Sequence, residues 1–168
     1  MSQTTAAFAE SLGRVGATLH RTDAAGVRAA LREAVAPPAV GSRVPIADVS
    51  LDDAGIETDP TVRQLREART GVTPAAFAVA EYGSLAIRSR PDGDEPVSLY
   101  PERHVAVVAA SDVLPDMDAA FERLAASFGR GEDSVVFATG PSATGDMGAL
   151  VEGVHGPREV HVVVVEDR

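Results

Sequence analysis

The stretch HVAVVAA, residues 104–110, is apolar at every position after its histidine. A strand with one face in water alternates apolar and polar residues, so an unbroken run signals burial on both faces, as in a central parallel strand covered by helices. Residues 160–165, VHVVVV, repeat the pattern with a single interruption at His161.

Working outward from these two runs, helical periodicity appears where such a sheet needs cover. Within residues 4–20, Phe8, Leu12, Val15 and Leu19 fall at i, i+4, i+7 and i+11, the stripe of one amphipathic helix, with His20 as its closing cap. Asp23 can cap a second helix with Val27, Leu31, Ala34 and Val35 on its apolar face, which Pro37 and Pro38 end. A short strand is expected at 44–49, and Asp59-Pro60-Thr61 opens a helix through residue 68. Apolar segments at 76–80 and 85–88 flank the turn Glu81-Tyr82-Gly83-Ser84 and read as a hairpin. A further strand-like segment at 97–100 ends at Pro101. A helix over 116–128 carries Met117, Phe121, Leu124 and Phe128 on one face and stops at Gly129. Residues 134–138 read as a strand and 147–151 as a short helix. Strands alternating with helices predict a three-layer α/β/α sandwich with a mostly parallel sheet, in one domain over 1–168 that opens with a helical segment at 1–38.

Composition excludes several functions. Cysteine is absent, removing disulfides, thiolate nucleophiles and any iron–sulfur cluster or zinc held by this chain through Cys. Four histidines, at 20, 104, 155 and 161, show no HxxxH or HxH spacing, so no metal site is expected. The acidic group Asp52, Asp53, Glu57 and Asp59 lacks calcium-loop spacing and reads as a solvated face. Net charge is -10 and all fifteen basic residues are Arg. Such acidity opposes nucleic acid and anionic lipid, and no basic stripe with interleaved aromatics offsets it. The lysine-free, alanine-rich, acidic composition fits a GC-rich, salt-adapted source. No apolar run reaches membrane-spanning length and the first residues lack a signal-peptide pattern, so the expected location is the cytoplasm.

The residues suited to chemistry gather in two Gly-rich turns. In TGPSATGDMGAL, residues 139–150, Gly140 and Gly145 allow close backbone approach, Ser142 and Thr144 offer hydroxyls, and Asp146 opens the expected short helix. If that helix points its N-terminus outward, the turn makes a cradle for a small anion; otherwise Asp146 simply caps it and Pro141 stiffens the turn. Neither GxxxxGK[ST] nor GxGxxG is present. In GVHGPR, residues 153–158, His155 lies between glycines, where it either contacts an anion and transfers protons or fixes the loop through a backbone carbonyl. His104 and His161, on strands, take structural roles. Glu81 at the hairpin turn is either a nucleophile or base, or a solvated turn carboxylate. No GxSxG elbow is present to suggest a serine hydrolase.

Four blocks, GVTPAAFAVAEYGSLAI, SLYPERHVAVV, DMDAAFERL and TGPSATGDMGALVEGVHGPREVHVVVV, resemble in the same order the lactate-utilisation protein C family, the LUD-domain proteins, over residues 70–166. The resemblance implies a fold akin to the ribose-phosphate isomerase, glucosamine-phosphate deaminase and CoA-transferase superfamily. It also implies a place in a system oxidising L-lactate to pyruvate, whose partner subunits hold the iron–sulfur clusters. By that resemblance the 140–146 loop, with Gly140, Ser142, Thr144, Gly145 and Asp146, and the second turn, with His155, Gly156 and Arg158, frame one small-anion site at the strand ends. Many relatives carry an arginine where this chain has Ala143, so either Arg158 or backbone amides take its place, or the ligand differs from that of the arginine-bearing relatives. Two other readings stand beside it: an enzyme for a CoA-linked or phosphorylated small acid using Glu81, and a regulator that binds lactate.

Overall fold

The apolar run of residues 104–110 forms the strand Arg103–Ala109, which pairs in parallel along its whole length with Glu159–Val165. The computed structural model describes residues 2–146 and 149–168. In chain order the elements are α1 (Gln3–Arg14), β1 (Thr18–Thr22), α2 (Val27–Ala34), β2 (Ala39–Gly41), β3 (Glu57–Thr58), α3 (Val62–Glu67), β4 (Thr70–Pro74), β5 (Phe77–Val79), β6 (Ser84–Arg88), α4 (Asp94–Leu99), β7 (Arg103–Ala109), β8 (Val113–Leu114), α5 (Met117–Phe128), β9 (Val135–Thr139), β10 (Ala143–Asp146), β11 (Ala149–Glu152) and β12 (Glu159–Val165).

Six strands form a parallel sheet in the order β1-β12-β7-β4-β2-β3, an α/β fold with helices on its faces. Side-chain alternation along the two central strands divides the core. Val105, Val107, Val163 and Val165 pack with Val27, Leu31 and Ala34 of α2. Ala106, Val108, Val162 and Val164 pack with Phe8 and Leu12 of α1 and with Leu85 and Ile87 of β6. Both faces are dry, as the unbroken apolar runs require. No helix among the described residues is long and apolar enough to cross a membrane.

One flanking layer departs from the simple sandwich. Beside α1 lies a second, four-stranded sheet, β8-β5-β6-β9, with the expected β5–β6 hairpin antiparallel at its centre. Helix α5 covers its outer side, where Phe77, Val79 and Ala86 meet Ala120 and Leu124. The expected apolar face of α5 is therefore displaced: Leu124 is buried, but Phe121 and Phe128 are 61% and 48% exposed, and Ala120 and Ser127 are buried instead. Ala120 and Ser127 on the contact face let α5 lie close over Phe77 and Val79.

Four other expectations are corrected. The first helix stops before Leu19 because Gly16 takes φ +77°, and Leu19 and His20 belong to edge strand β1. His20 thus caps no helix; its Nε2 lies 3.0 Å from Nδ1 of His161 on neighbouring β12. Residues 97–99 are helical, since Gly93 at φ +81° starts α4 and Asp94 and Glu95 occupy its first turn, where carboxylates suit the positive end of the helix dipole. Residues 44–49 form no strand, and Val44, Ile46 and Val49 pack as loop residues against the α2 side of the core. The short helix expected at 147–151 is replaced at Ala149–Glu152 by strand β11, which pairs antiparallel with β10. Gly148, within the expected span, disfavours a helix by about 1 kcal/mol relative to Ala. The expectations for Met147 and Gly148, and for the side chains of Thr144 and Asp146, fall outside the described residues.

One backbone approach fixes the position of α4. A Cβ placed on Gly71, in β4, would overlap the carbonyl oxygen of Val97, so only glycine lets α4 lie against the sheet. Gly71→Ala is expected to cost about 3 kcal/mol, read as a lowered urea midpoint with little change in slope.

Candidate functional site

The two Gly-rich turns converge. The loop after β9 carries Gly140, Pro141 and Ser142; the loop before β12 carries His155, Gly156 and Pro157. Ser142 ties them together: its N–H donates to the Pro157 carbonyl (2.8 Å), its carbonyl accepts from Gly153 N–H (2.9 Å), and its Oγ accepts from His155 N–H (3.3 Å). With Leu99 of α4 and Val160 of β12 these loops wall a cleft of ≈ 300 Å³.

The cleft lies at the amino ends of β7 and β12, not at the carboxyl ends of the parallel strands. The cause is the second sheet. Strand β9 belongs there, antiparallel to β6, and delivers the Gly140 loop to where β7 and β12 begin. At that edge Ser84 Oγ and Thr139 Oγ1 share a hydrogen bond of 2.7 Å.

The expected site residues now separate. Ser142, His155, Gly156 and Gly140 line the cleft. Gly140 has a structural duty as well: at φ +66° a Cβ would overlap the Val15 carbonyl, so glycine seats the loop on the end of α1. Gly145 is in β10, paired with Leu150. Arg158 is exposed and its side chain lies across Gly153, where any Cβ would collide with it, and it is outside the cleft lining. Its N–H, with that of Glu159, donates to the Glu102 carbonyl (2.8 and 3.1 Å) and sets the start of β12.

Glu81 is exposed on the β5–β6 turn, outside the cleft lining. Its backbone carbonyl is the engaged group, accepting from Ser11 Oγ (3.1 Å) and Arg14 Nη2 (3.0 Å) of α1. The turn thus docks on the helix end that also supports Gly140.

His104, given a structural role from its place on a strand, also faces the cleft. It opens β7, is 1% exposed, and lines the cleft, with Nε2 2.9 Å from Thr73 Oγ1 of β4. Burial without a charged partner lowers its pKa to about 4, so the ring is neutral near pH 7. The available signal was its position, a histidine at the mouth of a run otherwise wholly apolar.

The unfolded chain holds this imidazole near its ordinary 6.5, and the folded chain near 4. Between those values the unfolded state binds the additional proton, so stability from this group is complete above about pH 6.5 and lost as pH falls to 4. The loss is on the order of 3 kcal/mol. Urea unfolding at pH 7 and 4.5 should show a larger acid loss in the wild type than in His104→Gln. Equal losses would contradict a neutral buried His104.

Comparison with known proteins follows the same outline. The LUD domain model matches residues 46–165. A protein named lactate utilization protein C from Bacillus licheniformis is 33% identical over 114 residues, 66% of this chain and 48% of that protein. Its namesake from Deinococcus radiodurans is 33% identical over 127 residues, covering 74% and 59%. The Bacillus subtilis namesake is 26% identical over 180 residues, covering 92% and 75%. The chain thus spans about half the length of the first of these relatives. A crystal structure of a DUF162 family protein from Deinococcus radiodurans superposes with a TM-score of 0.75 at 24% identity, covering 98% of this chain and 99% of the other, which shows a shared fold. The match over residues 46–165 takes in both turns and both central strands: this chain belongs to the LUD domain family.

Proposed function

We propose that this chain is a small-anion-binding component of a lactate-utilisation system, holding a short 2-hydroxy or 2-oxo carboxylate in the cleft at the amino ends of β7 and β12. The carrying observation is Ser142, whose three hydrogen bonds join the two family-matching turns into one wall of that cleft. The names of the relatives supply the lactate context.

The lining suits a few polar atoms on a compact carbon frame. Val136, Phe137 and Leu99 form an apolar side, while Thr139, Ser142 and His155 bring polar groups. If the Thr73 hydroxyl donates to Nε2 of His104, the ring proton is on Nδ1, the donor an acceptor ligand needs. A neutral ring in that position binds and orients; it does not carry charge. Redox chemistry on the ligand is assigned to partner subunits bearing iron–sulfur clusters, since this chain has no cysteine to hold one.

Titration calorimetry with L-lactate and with pyruvate tests the cleft. Ser142→Ala and His155→Ala are each expected to weaken binding about tenfold, or 1.4 kcal/mol, with the urea midpoint near that of the wild type for His155→Ala. Unaltered affinity in both variants would sink the cleft assignment. Purification of the tagged chain from lactate-grown cells should bring down Cys-rich cluster proteins, and their absence would remove the partner assignment.

A further inference from the structure

We propose that the crevice at the carboxyl ends of β2 and β4 is a second binding site, for a compact oxyanion such as a carboxylate or phosphate group. The topology creates it. From β2 the chain moves outward to β3; from β4 it leaves through the second sheet and α4 and returns as β7 on the other side. Connections that diverge from neighbouring parallel strands leave a gap between their loops, the place where open α/β sheets bind ligands.

A cavity of ≈ 100 Å³ occupies that gap. Pro45 and Ile46 wall it from the segment after β2, and Ala75 and Ala76 from the segment after β4. Arg88, the last residue of β6, and Arg90, just beyond it, supply its cationic side. Among the described residues, two buried side-chain atoms lack a hydrogen-bond partner, Ser42 Oγ and Arg88 Nε. Both belong to this end of the sheet. Ser42 follows β2 directly, and Arg90 Nη2 donates to the carbonyl of the adjoining Arg43 (2.7 Å).

Donor and acceptor chemistry selects the occupant. The carboxylates on the wall are already engaged: Asp94, 1% exposed, takes both a 2.5 and a 2.9 Å hydrogen bond from Arg90, and Asp112 accepts from Arg123 at 2.7 Å. A guanidinium N–H only donates, so the unused group on Arg88 calls for an acceptor, and an anionic acceptor makes the stronger bond. The volume equals on the order of three water molecules, which admits one small oxyanion and excludes a nucleotide.

The test is an amide and arginine Nε NMR titration of the full chain with acetate and, separately, inorganic phosphate, at constant pH and ionic strength. Shifts at Ala75, Ala76 and Arg88 Nε are expected; response to one probe alone identifies the class of oxyanion. Arg88→Gln should weaken this response at least tenfold. Because Arg88 also bonds Glu132 and Ser127, Ala76→Leu provides a second arm that fills the cavity and keeps every charge, and it should also weaken binding at least tenfold. Glu132→Gln, which releases Arg88 from an exposed counter-ion, should leave affinity equal or tighter. Silence of these signals with both probes, or wild-type affinity in Ala76→Leu, would overturn the site. So would loss of the response in His155→Ala, since the signal would then belong to the cleft at the other end of the sheet.

Discussion

The parallel ladder between β7 and β12 is the constraint from which the remaining structure follows. Seven consecutive residue pairs, from Glu159 with Arg103 to Val165 with Ala109, lock two valine-rich strands in register. A slip of one residue would exchange the two side-chain sets, sending Val105 and Val107 from the α2 side to the α1 side and leaving small Ala106 where α2 needs bulk. Because both faces are buried, the ladder forces helical cover on one side and α1 with the second sheet on the other. It also fixes where each strand starts, and with it the meeting of His104, Val160 and the two Gly-rich loops.

A core this poor in aromatic residues must gain its contacts through closeness. The chain is 4% aromatic and has no Trp, so layers are joined by Val, Leu and Ala at short range. Gly71 under α4, Gly83 against Ser11 and Gly140 against Val15 are places where backbone meets backbone directly. Two of these three contacts fall on the end of α1, as does the docking of the Glu81 carbonyl on Ser11 and Arg14. The amino-terminal helix, which lies outside the blocks that carry the family resemblance, therefore sets the mutual position of the β5–β6 turn and the Gly140 loop. The cleft depends on it as much as on the residues that line it.

The legible parts of the sequence were those whose pattern is set locally. The two apolar runs, the hairpin around Glu81 and the helix ending at Gly129 each carry their own signal and appear in the structure, while the Asp23 cap closes the 3-10 turn Ala24–Gly26 that leads into α2, not α2 itself. The misread parts answer to tertiary context. Phe8, Leu12, Val15 and Leu19 keep helical spacing across Gly16, whose positive φ ends the helix and turns Leu19 into a strand residue. Residues 97–99 are too few to distinguish helix from strand by apolar content, and Gly93 decides the matter. Phe121 and Phe128 share helical spacing with Leu124, but the face of α5 that meets the second sheet runs through Ala120, Leu124 and Ser127. The pairing of the two loops was readable from the family pattern; their place at the amino ends was not, because nothing local in residues 135–139 shows that this strand joins the second sheet. His104 was visible, but its lowered pKa is a consequence of burial that only the packed structure displays.

The same ladder separates the two polar ends of the sheet. β7 has seven residues, which at ~3.3 Å each is roughly 20 Å of strand. Between His104 at one end and the loops beyond Ala109 at the other, its side chains are Val and Ala, buried on both faces. No compact ligand reaches from the cleft to the crevice between β2 and β4, and no proton has a chain of polar groups along β7 to follow. Chemistry at one end therefore cannot use the groups at the other, and an effect of one end on the other must be mechanical, through displacement of a strand held in register by its neighbours. That mechanism is demanding, because β7 is paired on both sides, to β12 and to β4. Edge strand β1, paired among the described residues with β12 alone, and the loops at either end can move at far lower cost. The rigid centre thus leaves the cleft and the crevice as independent features of a common scaffold, each shaped by its own loops.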